Sequence, residues 1–508
     1  MNRRASGGPV RPIRRPAPRW LAAAAAASVL GGCVVGPDYA GPPPSASAAE
    51  AGFRRAKGPV TAAAPAVRWW DGLGDPVLAD LVDEALTSNP NVRIAWARLR
   101  QARAVVGGRV SELGPTVSAA AAGLNNQVPV RDGFGEGFNR ALGGQSVSRA
   151  AIPKSLNFDL YNATFDASWE IDIFGGRHRA VEQAEADADA TGAALADAHV
   201  QVAAETAQAY VALRGAQRRL ALTQRAAALQ RESLRLGEQR LGGGASSALD
   251  VERLRTQFET TASQAPALQA EVEAGLNRLA VLVALEPGVL DGRLRAAGPV
   301  PRPPRTVEIG DPGGLLRHRP DVRRAERQLA AANARIGQAV AQLFPRVTLL
   351  GNAGWVSPNI GSIGTLAAST YSVGPTLSWN ILDFGRTLSQ IRQAEAGTDA
   401  ALAEYERAVL GALEDAETAL SRYGHQRSTV WRLARASAAA NRASKLTNER
   451  NLAGTISVID VLDVERQRLQ AEQASAQAEM ELTTAYVALQ KALGLGWSSR
   501  GTVLAAAK

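Results

Sequence analysis

Two stretches of the chain alternate apolar or small residues with polar ones for more than ten positions. In Tyr161–Arg177, the residues Tyr161, Ala163, Phe165, Ala167, Trp169, Ile171 and Ile173 share one face, and Asn162, Thr164, Asp166, Ser168, Glu170 and Asp172 the other. In Tyr371–Arg386, Tyr371, Val373, Pro375, Leu377, Trp379 and Ile381 oppose Ser372, Gly374, Thr376, Ser378 and Asn380. Period-two alternation predicts a strand with one apolar and one wet face. Its length suits a tilted bilayer-crossing strand of roughly 9–11 residues, and equally a half-buried strand of a soluble sheet.

The two stretches are copies. Asn89-Pro90-Asn91-Val92 recurs as Arg319-Pro320-Asp321-Val322, and Leu113-Gly114-Pro115 as Leu343-Phe344-Pro345, both at an offset of 230. Trp169 matches Trp379, Phe174-Gly175 matches Phe384-Gly385, and Asp250-Val251 matches Asp460-Val461, all at 210. The 20-residue difference places an insertion in the first copy at about Asn125–Asp159, whose Gly, Asn and Ser content predicts a loop. A repeat this long is a duplicated domain half. Pro299–Arg305 reads as a stiff surface linker between the halves.

Each half opens with a helix (about 90–112 and 320–342), which leads through Pro115 or Pro345 into a first strand. After the second strand the period turns helical for some sixty residues, about 176–238 and 386–448. Tyr405, Val409, Ala412, Ala416, Ala419 and Tyr423 form a coiled-coil seam, and Leu195, Val202, Ala209 and Ala216 repeat at seven in the first copy. Glycine-bearing turns follow, then returning helices at about 248–284 and 457–493. One chain thus supplies four strands, whereas a closed barrel needs about eight or more and lipid tolerates no open edge. Several chains must therefore share one barrel. Its polar row, Asn162 to Asp172, then faces water in the pore and Phe165 faces lipid.

Charge and cysteine content sharpen the picture at the front end. Of the net +9, six arginines precede residue 33 with no acid among them, so the remainder carries +3 and argues weakly for nucleic acid. The arginines and the short apolar run Trp20–Leu30 read as a secretory signal. The run ends Leu30-Gly31-Gly32-Cys33, and Cys33 is the chain's single cysteine, so no internal disulfide forms. This segment looks like a bacterial lipobox, with Cys33 diacylated. Val34 in place of an aspartate favours the outer membrane. The chain divides into a signal (1–32), an acylated tether (33–74), a first repeat (75–290), a Pro-rich linker (291–310), a second repeat (311–497) and a tail (498–508).

Candidate chemistry is sparse. His178, His199, His318 and His425 are scattered, with no HExxH motif and no G-x-S-x-G elbow, so neither an enzyme nor a metal site is expected. At the turn between long helices, Asp460 and Asp463 share a face near a helix start. There they favour the helix dipole, or in a trimer form a ring of carboxylates that narrows a pore.

The front Cys33-Val34-Val35-Gly36-Pro37-Asp38-Tyr39, the strand end Trp169–Gly175 and the duplicated halves resemble the TolC-like outer membrane factors, in their lipoprotein (NodT/OprM) branch. The resemblance covers essentially the whole mature chain. It implies an α+β membrane protein: a homotrimer with a 12-stranded transmembrane β-barrel, four strands per chain, continued by a long periplasmic α-helical coiled-coil barrel. It further implies an exit duct docked on a periplasmic membrane-fusion adaptor and an inner-membrane pump of the RND type. The anchor would be outer-membrane lipid on Cys33, with no other cofactor. Matching positions make Asp460, Asp463 and Asp250 gate acids, Ile459 a hydrophobic gate residue and Arg466 a gate arginine. Some relatives carry a basic residue where this chain has Ile456, so an ion pair locking the gate is not expected there. Leu241, Gly242, Gly244, Leu249, Gly454, Thr455 and Val458 are the positions where adaptor hairpins would touch. Trp169, Phe174, Gly175, Trp379, Phe384 and Gly385 would mark the strand ends. A protein-secretion duct and a lipid-anchored trimeric coiled coil are the rival readings.

Overall fold

A computed structural model describes residues 34–43, 52–56, 58–129, 155–453 and 455–497. Two compact units are present, and neither follows the repeat boundary. The first draws on Met1–Tyr39, Val105–Ala184 and Ala332–Gly397, the second on Ala40–Ala104, Glu185–Ala331 and Thr398–Lys508.

The first unit is built on a four-stranded antiparallel sheet in the order β2-β3-β5-β6: β2 (Thr116–Pro129), β3 (Ser155–Ile171), β5 (Arg346–Ser357) and β6 (Ser369–Ser378). Phe165 pairs with Ala119 on one side and Ala353 on the other, and Ala353 pairs with Tyr371. This register puts Phe165, Trp169, Val117, Leu349, Val373 and Leu377 on a single face. Phe165 is 59 % exposed and Val373 73 %, so that face is apolar and uncovered within one chain. The opposite face carries Thr164, Asp166, Ser168, Thr348, Asn352 and Ser372, with Leu350 as an apolar exception. Hydrogen bonds within it run from Thr164 Oγ1 to Asp166 (3.0 Å) and from Ser372 Oγ to Asn352 (3.3 Å). Such a two-sided sheet fits lipid outside and water inside. The outer edges of β2 and β6 carry no partner among the described residues.

Two expectations need correction here. The predicted loop Asn125–Asp159 is strand at both ends, because β2 runs to Pro129 and β3 starts at Ser155; residues 130–154 lie outside the described residues. Glycine-free alternation continues over 125–129 and 155–159, although the composition reads as a loop. Trp379 and Ile381 lie beyond β6, which ends at Ser378, and Ile173 lies beyond β3.

The second unit is helical, and several helices have residues in both units. Helices α1 (Pro76–Ser88) and α2 (Pro90–Ser111) precede β2, and α3 (Gly176–Gly242) follows β3 with 67 residues, a contour of about 100 Å at helical rise. Then come α4 (Ala248–Ala262), α5 (Gln264–Leu282), the short α6 (Asp291–Leu294), α7 (Pro312–His318) and α8 (Pro320–Ala341). Helix α9 (Arg386–Leu452) matches α3 in length, and α10 (Val458–Ala492) closes the described order. The single returning helix expected over 248–284 is two, parted at Ser263.

Seam positions Leu195, Val202, Ala216, Val409, Ala412, Ala416 and Tyr423 are all buried. Small seam residues let helix backbones approach closely, and Ala416 is wholly covered. The stretch read as a tether is in part core: Phe53, Trp69, Trp70 and Leu73 are buried with Tyr486 and Leu489. Glu417 accepts from the backbone N–H groups of Arg54 (2.7 Å) and Arg55 (2.8 Å). The proline-rich linker is likewise pinned. Val300 is buried, and the Pro301 carbonyl accepts from Thr483 Oγ1 at 2.7 Å. Strand β1 (Val60–Thr61) pairs in parallel with β4 (Val307–Glu308), tying the two proline-rich segments together. Among the described residues no helix is long and apolar enough to cross a membrane. That result says nothing of a β-barrel.

Candidate functional site

Two regions carry the residues singled out from the sequence: the strand-to-helix junction in the first unit and the helical turns in the second. At the junction, Trp169 donates its indole N–H to the Leu113 carbonyl (2.8 Å), and Trp379 does the same to Leu343 (2.9 Å). Each strand then turns into a helix through a left-handed glycine, Gly175 (φ 75°) or Gly385 (φ 84°). A conformation with positive φ is strained for residues bearing a Cβ.

Phe174 stacks on Phe344 with ring centroids 4.5 Å apart. Its counterpart Phe384 is 93 % exposed and itself at φ 51°. The first junction also receives the chain's own front. Val35 N–H donates to the Phe174 carbonyl at 3.1 Å. Arg179 donates to the carbonyls of Val35 and Gly36 (both 3.2 Å) and to Asp38 (2.7 Å), and its remaining amine to Glu182 (2.7 Å). Its side chain is only 4 % exposed. Gly36 lies so near Gly337 that a Cβ would sit 2.4 Å from the Gly337 Cα. Cys33 lies outside the described residues, but Val35, two residues on, is fastened here. Sequence reasoning missed this clasp, since Arg179 and its partners lie more than 140 positions apart.

In the second unit the turn residues have plain structural duties. Gly244 takes φ 76°, and Ala245 N–H donates to the Arg240 carbonyl (2.8 Å), so Leu241–Gly244 is a glycine-ended helix cap. Thr455 N–H and Oγ1 both donate to the Arg450 carbonyl (3.1 and 3.0 Å). Gly454 lies outside the described residues, and Val458 opens α10. Asp250 and Asp460 close matching capping boxes. Ser247 Oγ donates to Asp250 (2.6 Å) and Ser457 Oγ to Asp460 (2.8 Å), while each aspartate N–H donates back to its serine (3.1 and 3.2 Å). The Ser457 hydroxyl and backbone N–H hold the Asp460 carboxyl below the usual carboxylate range. The Ser-x-x-Asp spacing was a readable signal for this role.

Asp463 pairs with Arg466 one turn on and accepts from Gln467 at 2.7 Å. Ile459 is exposed and lies with Leu249 and Leu462 around one shallow pocket that also takes in Arg253, so the two repeats' helix starts come together. Above it, a cleft of 480 Å³ separates α3 from α9, lined by Leu236, Gly237, Asn441, Lys445, Glu465 and Arg468 among others. Glu465 accepts from Ser444 and from Arg468, which also reaches Glu472. No group of three or more His, Cys, Asp or Glu that could hold a metal occurs among the described residues.

These features can be set against known proteins. The pattern of the outer membrane efflux protein family matches residues 81–284 and 312–495. The chain belongs to this family. It is 30% identical over 475 residues to nodulation protein T of Rhizobium leguminosarum bv. trifolii, covering 92% of this chain and 96% of that one. It is 29% identical to outer membrane protein OprJ of Pseudomonas aeruginosa, with 96% and 97% of the chains covered. Among solved structures, the outer-membrane channel OprN superposes with a TM-score of 0.81 at 36% identity, over 92% of this chain and all of that one. The TolC-like architecture that the resemblance implies, a trimeric channel with four barrel strands per chain and helical walls, is the architecture of the family. Family members are outer membrane channel proteins, and this places the chain in the outer membrane.

Proposed function

We propose that the chain is the outer-membrane exit duct of a tripartite efflux system, conducting small molecules passively from a periplasmic adaptor and an inner-membrane pump, of RND type, to the exterior. The observation that carries this reading is the sheet. One apolar face, one polar face and two unpaired edges suit a barrel closed by three copies. Relatives described as an antibiotic efflux pump outer membrane protein and a toluene efflux pump outer membrane protein, both of Pseudomonas putida, support a small-molecule cargo over a secreted protein.

The acylated anchor belongs to the same reading. Cys33 is the modified residue, and the clasp fixes Val35, Gly36 and Asp38, a few residues on, beside the end of β3. At the turns, Ile459, Asp460 and Asp463 of three copies face one another as the periplasmic gate, and Leu241, Gly242, Gly244, Leu249, Gly454, Thr455 and Val458 meet the adaptor. Asp460 serves cap and gate together, because a capping carboxylate keeps its charge.

Planar-bilayer conductance of purified trimers tests the gate: the double variant D460A/D463A should conduct more than wild type, and equal conductance rejects these acids as the constriction. Palmitate labelling should mark wild type and leave C33S unmarked. Label on both removes the anchor assignment.

A further inference from the structure

The sheet's amphipathic order reverses at one level, in two strands at once. Along β3, odd positions are apolar from Ile171 up to Tyr161 and then polar at Asp159, Asn157 and Ser155. Even positions are polar from Glu170 up to Asn162 and then apolar at Leu160 and Phe158. On the face of Phe165, strand β2 switches at the same rung, from Val117, Ala119, Ala121 and Gly123 to Asn125 and Gln127; on the other face Ala120 and Ala122 lead to Leu124, with Asn126 the one polar residue, opposite Phe158. Gly123 pairs with Tyr161, the last pair of the old order, and Leu124 pairs with Leu160, the first of the new.

That rung is also where the wider sheet stops, since Tyr161↔Ser357 is the last pair of β3 with β5. Above it β2 and β3 continue alone as a ribbon of six further pairs, Leu124↔Leu160 to Pro129↔Ser155, a rise of about 20 Å. On the face continuous with Phe165, the ribbon is polar and bonded across its strands. Asn125 donates to Asp159 (2.7 Å) and Gln127 to Ser155 Oγ (3.1 Å). Water, not lipid, must lie outside it. On the face continuous with the polar row, Leu124 is 54 % and Phe158 45 % exposed. Val356, opposite Asn162, extends this apolar tier one step down.

A hairpin with its apolar side turned to water would be unstable alone, and the trimeric barrel supplies the cover. The polar row faces the pore, so the ribbon's continuous face points at the three-fold axis. Twelve strands about 4.8 Å apart and tilted about 40° set the backbone only about 12 Å from that axis. We propose that Leu124, Phe158 and Leu160 of three copies meet around the axis as an apolar collar at the outer mouth, a second constriction distinct from the acidic tip. A hydrophobic constriction resists ions by dewetting and yields to apolar or amphipathic solutes. The collar therefore selects cargo that can displace water from leucine and phenylalanine. This inference rests on the trimeric channel reading.

The test is site-directed cross-linking of full-length trimers with a flexible bifunctional thiol reagent long enough to span roughly 16 Å, the separation of cysteine sulfurs around such an axis, with wild type treated in parallel to account for Cys33. F158C, facing the axis, should give covalent dimers and trimers on denaturing gels. N157C, one residue along and facing outward, should label without cross-linking. Equal cross-linking of both, labelling of F158C without cross-links, or protection of F158C from label overturns the collar. Protection would mean that the chain's own 130–154 segment covers the face. The triple variant L124S/F158S/L160S should raise single-channel conductance at least about two-fold, and unchanged conductance overturns the barrier. Wild type that forms no channels at all would instead reject the channel reading beneath it.

Discussion

The two strand-to-helix junctions began as copies and share a frame, but only one of them is clasped. Both have the tryptophan bonded to a carbonyl 36 or 56 residues back and both turn on a left-handed glycine. Both start their long helix under an aspartate, though not at equivalent positions. Asp172 accepts from His178 N–H (2.8 Å), whereas Asp383 accepts from Gly385 and Thr387 N–H (3.1 and 2.9 Å). Only the first junction has Arg179, where the repeat puts Ser389, and only the first can be reached by the chain's single N-terminal segment. Phe174 finds a ring in Phe344, but the first repeat has Gly114 where the second has Phe344, so a neighbouring copy offers Phe384 nothing to stack on. Duplication provided two equal sockets, and the one front end made them unequal. In the trimer, clasped and bare junctions alternate around the barrel.

The sharpest way to break this contrast is to remove the clasp. Arg179→Ala leaves the Val35 and Gly36 carbonyls without their donor and should cost about 2–4 kcal/mol. Ser389→Ala, at the matching bare position, should stay within about 0.5 kcal/mol. Thermal unfolding reads the difference. Hydrogen exchange over residues 34–43 should rise only in R179A. Equal effects of the two substitutions would mean that the junctions are equivalent after all.

A second pair of matched positions sharpens it further. At the start of α2, Asn89 donates its amide to the Leu282 carbonyl (2.7 Å) with no charge involved. At the start of α8, Arg319 donates to the carbonyls of Ala492 (2.8 Å) and Ala412 (3.3 Å) and to the carboxylates of Asp321 and Asp415 (2.7 and 3.0 Å). Burial alone would raise the Asp321 carboxyl, but the hydrogen bonds and charge of Arg319 outweigh it and hold it below the usual range. A carboxyl depressed in the fold stabilises above its ordinary pKa and loses that contribution as pH falls through the lowered value. Acidification below about pH 4 should therefore loosen α8 before α2. Arg319→Ala should cost about 2–3 kcal/mol at neutral pH and flatten that acid dependence, while N89A should leave it intact. Acid unfolding followed by hydrogen exchange on the two helices decides the matter. An unchanged acid profile in R319A would refute the charged clamp.

What could be read in the sequence follows the same division between local and distant. Alternation around Phe165 and the seven-residue spacing of Leu195, Val202 and Ala216 are short-range patterns, and they located the strands and long helices within a few residues. The ribbon was hidden because Asn125, Asn126, Asn157 and Asp159 have the composition of a loop. Only the pairing of Leu124 with Leu160 shows that alternation persists with its faces exchanged. Phe53 and Trp70 read as tether because proline and alanine surround them, and the core they join includes Tyr486 and Leu489 from the far end of the chain. Arg179 looked like any helix-surface arginine. Gate and adaptor residues were legible as turn residues, and the Ser-x-x-Asp boxes give Asp250 and Asp460 a local duty that is complete without a pore.

That duty yields the smallest effect and the closest comparison. Ser247→Ala and Ser457→Ala each remove a cap whose loss costs about 1 kcal/mol, confined to the first turns of α4 and α10. Amide exchange at Asp250 and Asp460 should speed up by similar factors, since the boxes agree in every hydrogen bond. Asp460 is held low by its serine, so its cap is present above the ordinary carboxylate range and fails as pH falls through the lowered value. Fraying of α10 should then grow on acidification in wild type and show no further acid step in S457A. In the assembled channel the two caps part company if Asp460 also faces the pore. S457A should then change conductance and S247A should not. Identical conductance in both variants would confine the serine boxes to helix capping.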